Sequence, residues 1–257
     1  MSAVWDESAA LIRRESHLLV PLALATVGIG SVISGLTQPQ TPAAGLGATA
    51  AIGFIVGNLF TLVGTLAIIA LALTPGISVG ESLRLALARM PKMILIGILF
   101  VVAIIALMIP LAVILGLSGV PISASMAPQD LPGVVVPAAL MIGALLLYIS
   151  ARLLTLSATM VDRNPPIIEA IKSSFSSTGG IATKIIAVLL LFLLVTIVVS
   201  GAVAAISGIL FGMIGKAVGA PLLGKGLTVL VTGMVSALLS IVSSVFAAML
   251  YRKLSAQ

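Results

Sequence analysis

Six long apolar runs separated by shorter polar segments set the pattern of this chain: 18–36, 48–73, 93–117, 134–156, 181–210 and 226–250. Each is long enough to carry the ~20 residues that a helix needs to cross the hydrocarbon core. None alternates apolar and polar positions as a membrane barrel strand does. Lipid supplies no partners for backbone N–H and C=O groups, so each run is expected to be helical. The pattern predicts an all-α polytopic membrane bundle, with six transmembrane helices in one domain over residues 1–257.

Two or three short amphipathic helices are expected beside the spans, over about 3–16, 78–90 and 165–178. In the last of them Ile167, Ile168, Ile171 and Phe175 recur at helical spacing, which favours a helix lying along the headgroup plane. Asn164 is placed to cap it, with proline at its first position. Ser78 and Glu81 have the S-x-x-E spacing of a capping box. Pro91, and the pair Gly179 and Gly180, are expected to break these helices before the next span. The connections "TQPQTPAAG" from Thr37, and "SGVPISASMAPQDLPG" from Ser118 with its single charge Asp130, are expected to be loops.

Two of these segments align as an internal repeat. "PGISVGESLRLALARMPKMILIGILF" begins at Pro75 and "NPPIIEAIKSSFSSTGGIATKIIAVLL" at Asn164. Both place a glutamate near a helix start, Glu81 or Glu169, and a cation three residues on, Arg84 or Lys172. The N-terminal "VWDESAALIRRESHLLVPLALA" gives a third, weaker copy, with Trp5 suited to the interface. Such repeats occur in transporter folds, and duplication without transport gives the same pattern.

Composition places this pattern in a membrane. The chain is 60% hydrophobic and only 8% charged, too little charge to solvate a soluble domain of this size. The net charge is +6, and its distribution says more than its size. With the N-terminus in the cytoplasm, Arg13, Arg14, Arg84, Arg89, Lys92, Arg152, Arg163, Lys172, Lys184, Arg252 and Lys253 all fall inside. Of the 13 basic residues only Lys216 and Lys225 fall outside. The positive-inside rule therefore predicts both termini in the cytoplasm of a bacterial inner membrane. Anionic lipid headgroups account for the positive balance, and no nucleic-acid partner is expected. The charged N-terminus, with Asp6, Glu7, Arg13, Arg14 and Glu15 ahead of the first run, is not expected to be a cleaved signal peptide.

The segment "YISARLLTLSATMVDRNPPIIEAIKSSFSSTGGIATKIIAVLLL", Tyr148 to Leu191, resembles the hallmark of the glycerophosphoryl diester phosphodiesterase membrane-domain family, a group of six-helix bacterial membrane proteins. Arg152 matches an arginine late in span four. Glu169, Ala170, Ile171, Lys172 and Ser174 match an E-A-(I/L)-(K/R)-x-S pattern, and Phe175, Thr178 and Gly179 continue it. A tryptophan common near this point in the family is absent here. The resemblance implies a six-span layout. Some members carry a fused phosphodiesterase domain; the spans and short loops leave no room for one in these residues.

Candidate chemistry is sparse. Cysteine is absent, which excludes thiolate sites, and the lone His17 has no partner cluster for a metal. The chain has no phosphate-binding loop, no G-x-S-x-G and no H-E-x-x-H. All seven acids lie outside the middle of the spans, where a proton path would need one. No cofactor and no enzymatic activity are expected. Lipid or partner contact is assigned to Arg84, Arg152, Lys172, Glu81 and Glu169; Arg152 can also snorkel, or pair with Asp162 or Glu169. Helix packing, within the bundle or in a homo-oligomer, is assigned to Gly53 and Gly57, to Asn58 as interhelical glue, to the ladder Thr196, Ser200, Ala204, Gly208 and Gly212, and to Ser236, Ser240 and Ser244. The expected function is a non-enzymatic membrane protein that organises or binds lipid or a partner protein through a basic cytoplasmic rim. The alternative is a small transporter with a path between spans two, four and five.

Overall fold

Every regular element among the described residues is helical, as the apolar runs require in lipid. The computed structural model describes residues 2–38, 47–117, 133 and 135–255; the rest of the two expected loops, Asp130 included, lies outside them. Helix α1 (Ser2–Ala23) passes through a π turn (Leu24–Gly28) into α2 (Ile29–Thr37). Then come α3 (Ala48–Leu73), α4 (Val79–Leu117), α5 (Val135–Leu153) and α6 (Leu156–Asp162). The chain continues through α7 (Ile167–Thr178), a 3-10 turn (Gly179–Ile181), α8 (Ala182–Ala217) and α9 (Pro221–Ser255). Six of the resulting helical rods are long and apolar enough to cross a membrane, which makes this a multi-pass membrane bundle.

Two of the three expected surface helices are not separate. The 3–16 segment is the first part of α1, and 78–90 is the first part of α4, which runs straight through Pro91. A proline inside a helix loses one hydrogen bond and crowds the preceding turn. Ending the helix there strands four carbonyls at the edge of a bilayer, and Leu83, Leu85, Ala86, Leu87, Met93 and Leu95 around it are good helix formers. Continuity wins at Pro91, and also at Pro21 and Pro110. At 39 residues α4 is roughly 58 Å long, so its basic first turns extend beyond the hydrocarbon. Only 165–178 forms its own helix, α7. Its partly buried Ile167 and Ile171 and its buried Ala170 pack on Ile96, Leu156 and Met160 of α4 and α6, while Ile168 stays 70% exposed. Asn164 does not cap α7; it sits at φ 49° just before it.

The core gathers at the basic end. There Leu66–Ala72 of α3, Val245–Leu250 of α9, Leu19 and Leu22 of α1, and Ala158 and Val161 of α6 are buried together. Three ties close this end. Arg252 pairs with Glu7 at 3.5 Å, the Tyr251 hydroxyl donates to Asp162 at 2.8 Å, and Trp5, Phe192 and Phe246 meet with ring centroids 5.9–6.3 Å apart. The first and last helices therefore share one end of the bundle. Toward the other end α4 and α8 present Leu95, Ile98, Leu99, Val102, Leu194, Ile197 and Val198 to the outside, as lipid-facing helices do.

Small residues bring backbones together in the rest of the bundle. A Cβ at Gly57 would meet Ser34 and the Gly30 carbonyl; one at Gly53 would meet Thr37. This is the α2–α3 crossing. Within this one chain most of the span-five ladder lies outside the close helix contacts. Ala204 is exposed, and a Cβ at Gly208 or Gly212 would meet nothing within 4 Å. The side of α8 turned to α9 carries Ser207 and Gly215, and of the ladder Gly212 comes near it only through its backbone, 3.4 Å from where a Cβ at Gly224 would lie. Asn58 faces outward and donates to the Phe54 carbonyl of its own helix at 2.8 Å, not to another span.

Candidate functional site

Arg152 is the last turn of α5, and the chain breaks there before α6. The break leaves the Arg152 carbonyl without its helical partner. Ser174 donates to it at 2.7 Å and Thr178 at 3.3 Å, both from α7. The Thr155 and Ser174 hydroxyls meet at 3.0 Å, and Thr155, Ser174 and Thr178 are fully buried. In return the Arg152 guanidinium caps α7: it donates to the Phe175 carbonyl in the last turn at 2.8 Å. It also donates to the Tyr148 hydroxyl at 3.0 Å and lies 5.4 Å from the centroids of the Tyr148 and Phe175 rings. These contacts make Arg152 the clamp between α5 and α7. Neither Asp162 nor Glu169 pairs with it among the described residues.

Lys92 makes the second junction. Its ammonium donates to Asn164 Oδ1 at 2.8 Å and to the Asn164 carbonyl at 3.3 Å, joining the base of span three to the α6–α7 turn. Glu169 and Lys172 stand exposed on α7, without a side-chain hydrogen bond to a described residue.

Arg84 lies elsewhere on the same end. The α3–α4 turn, with Gly76 at φ 85°, leads into the capping box. The Ser78 N–H and hydroxyl donate to Glu81 at 3.0 and 2.8 Å, and the Glu81 N–H donates to Ser78 Oγ at 3.2 Å. Those two donors hold the Glu81 carboxyl below its usual value, the backbone N–H most of all. Glu81 lies ahead of the apolar run. Because its folded pKa is lowered, its contribution is complete above the ordinary glutamate pKa and is lost as pH falls through the lowered one. Glu81→Gln, which keeps the box geometry but not the charge, is expected to lower stability slightly at neutral pH and to flatten its fall below about pH 5, read by thermal unfolding across pH.

Beyond the box an open groove of about 560 Å³ runs between Thr74–Ile77 and α4, lined by Glu81, Arg84, Leu85, Ala88 and Arg89. No carboxylate of a described residue lies within 4.0 Å of Arg84 or Arg89. The Arg89 Nε is buried and lacks a hydrogen-bond partner among the described residues. A smaller cavity of about 160 Å³, bordered by Arg14, Glu15 and Leu71, shares the wall Pro75–Ile77. Among the expected contact residues the structure thus joins Glu81 with Arg84, sets Arg152 into the α5–α7 clamp, and leaves Lys172 and Glu169 on α7. Arg89 was not singled out from the sequence, although 81, 84, 85, 88 and 89 follow the one-face spacing of a helix. Among the described residues no group of three or more His, Cys, Asp or Glu side chains could hold a metal ion.

No family model, curated protein or solved structure matches this chain.

Proposed function

We propose that this is a non-enzymatic protein of the bacterial inner membrane, with both termini in the cytoplasm, that binds anionic phospholipid headgroups through the groove of Arg84 and Arg89. The observation that carries this reading is a pair of arginines on an open groove, neither of them within 4.0 Å of a carboxylate among the described residues although Glu81 shares the lining. A phosphate monoanion in the groove supplies acceptors in the geometry a guanidinium prefers. The groove sits on the helix turns that extend past the apolar run, at headgroup depth. Exposed Arg13, Lys172, Lys184 and Lys253 add positive charge near the surface, each worth about 1 kcal/mol toward an anionic leaflet. The similarity of 148–191 to the glycerophosphoryl diester phosphodiesterase membrane-domain family belongs to this proposal.

The test is native mass spectrometry of protein purified from phosphatidylglycerol–phosphatidylcholine nanodiscs. Arg84→Gln with Arg89→Gln is expected to lower retained phosphatidylglycerol at least about 10-fold, since even one hydrogen bond to a charged group contributes about 1.5–3 kcal/mol. Lys216→Gln with Lys225→Gln should leave it unchanged. Equal retention in all three proteins overturns the headgroup reading, and a reporter fusion placing the C-terminus outside overturns the topology.

The alternative, transport between spans two, four and five, has one observation in its favour: a second groove opens among those spans. It reaches neither Asn58 nor Arg152, and no charged side chain lines it.

A further inference from the structure

We infer that this second groove is a binding site for an uncharged lipid whose oxygens accept hydrogen bonds. It is separate from the arginine groove and does not depend on it.

The groove has a volume of about 480 Å³. Five rods contribute to it: Val27 and Ser31 from the first, Thr61 from α3, Leu147 and Ser150 from α5, Phe192 to Ser200 from α8, and Ser236 to Ser243 from α9. Counting back along α9 from Arg252 at 1.5 Å per residue, Ser240 and Ser236 lie roughly 18 and 24 Å from the basic end. That is within a hydrocarbon core of about 30 Å. Ser150, Leu193 and Ser243 on its border are exposed, so the groove opens sideways into lipid.

Its hydroxyls are the informative feature. A serine or threonine in a helix ordinarily donates back to the carbonyl one turn earlier. Thr61 does so to Gly57 at 3.0 Å, and Thr228 and Thr232 on α9 do so at 3.0 and 2.9 Å. Ser243 donates to the Ser240 carbonyl at 3.1 Å. The hydroxyls of Ser31, Ser150, Thr196, Ser200, Ser236 and Ser240 donate to no described residue, and all six border the groove. Lipid tails carry no acceptors, and a donor without one is costly at this depth. Six such donors from four rods converging on one space call for an occupant with acceptor oxygens. The absence of charged lining residues disfavours an ionised group, which would lose its hydration without a counter-charge. The surrounding Val27, Leu147, Leu189, Phe192, Leu193 and Leu239 suit hydrocarbon. Ester or ketone oxygens on an otherwise apolar molecule satisfy both demands.

The experiment uses the full chain in phosphatidylcholine nanodiscs with dioleoylglycerol that carries a photoactivatable diazirine in one chain. Labelling is expected in peptides of α8 and α9 that border the groove. Excess unlabelled dioleoylglycerol should compete; squalane, which has no oxygen, should not. Thr196→Val, Ser200→Ala and Ser240→Ala together are expected to reduce groove labelling by at least tenfold, at about fivefold for each hydroxyl that bonds. Equal competition by squalane, or unchanged labelling in the triple variant, overturns the inference. Should the variant fold poorly, the competition on the native chain still decides. Because the chain has no cysteine, Ser200→Cys gives a single probe. Its protection from a membrane-impermeant charged thiol reagent supports a lipid site; rapid labelling shows a water-filled path and overturns it.

Discussion

Ser174→Val is expected to destabilise the protein by about 2–4 kcal/mol, measured by thermal or denaturant unfolding in detergent micelles. The side chain is fully buried and serves two partners, the Arg152 carbonyl at 2.7 Å and the Thr155 hydroxyl at 3.0 Å. Valine removes the hydroxyl and leaves both in a site closed to solvent. An unsatisfied buried polar group costs about 1–3 kcal/mol, and Thr178, at 3.3 Å from the same carbonyl, recovers part of one. Ser176→Val, two residues on, is the control. Ser176 is exposed and among the described residues its hydroxyl bonds only the Ser173 carbonyl of its own helix, so a change within about 0.5 kcal/mol is expected. Equal effects at the two serines would show that α7 does not hold the end of α5. The same clamp predicts that Ser174→Val loosens α7, visible as faster hydrogen exchange over 167–178 than in the control.

Gly57→Leu is expected to cost about 3 kcal/mol, the upper part of the usual range for overpacking. The reason is the nature of the obstruction. A Cβ there meets the Gly30 carbonyl, which is backbone and cannot turn aside, as well as the Ser34 side chain. The α2–α3 crossing must separate, and in lipid no hydrophobic force between helices restores it. Gly208→Ala provides the contrast. Its added methyl meets nothing within 4 Å, and alanine favours the helix over glycine by up to about 1 kcal/mol. Unfolding should therefore show a loss at 57 and no loss at 208. A loss at 208 instead would place the span-five ladder in a tight contact, such as one between two copies of the chain.

Parts of this site were legible in advance and parts were not. The capping box at Ser78 and Glu81 was readable because both partners lie within one turn. Arg84 was readable as an exposed cation beside it. Arg89 was not singled out, although the expected helix over 78–90 already carried it on the face of 81, 84, 85 and 88; the opposite wall of the groove, Thr74–Ile77, is what marks it. Arg152 was noted as an isolated cation with several partners open to it. Its actual partners, the Phe175 carbonyl and two aromatic rings, depend on how α7 folds back on α5. Among Ser173, Ser174, Ser176 and Ser177 nothing local distinguishes the one buried residue. Ser236 and Ser240 had the spacing of a packing stripe, and they face an open groove.

What the sequence determined by itself was therefore the helical state, the six crossings and the collection of most positive charge at one end. These follow from sums along the chain. Lipid forces each long apolar run to satisfy its own backbone, and headgroup potential sorts the charges whatever the packing. The tertiary structure decided which helices run on through a proline, which hydroxyl caps a broken span, and which hydroxyls face open space. Those outcomes depend on which faces meet. The π turn at Leu24–Gly28 shows why a pattern along the chain cannot supply them. One such insertion turns every later side chain of the rod by about 100°, so the face that Gly30 presents to Gly57 is settled by the fit between helices.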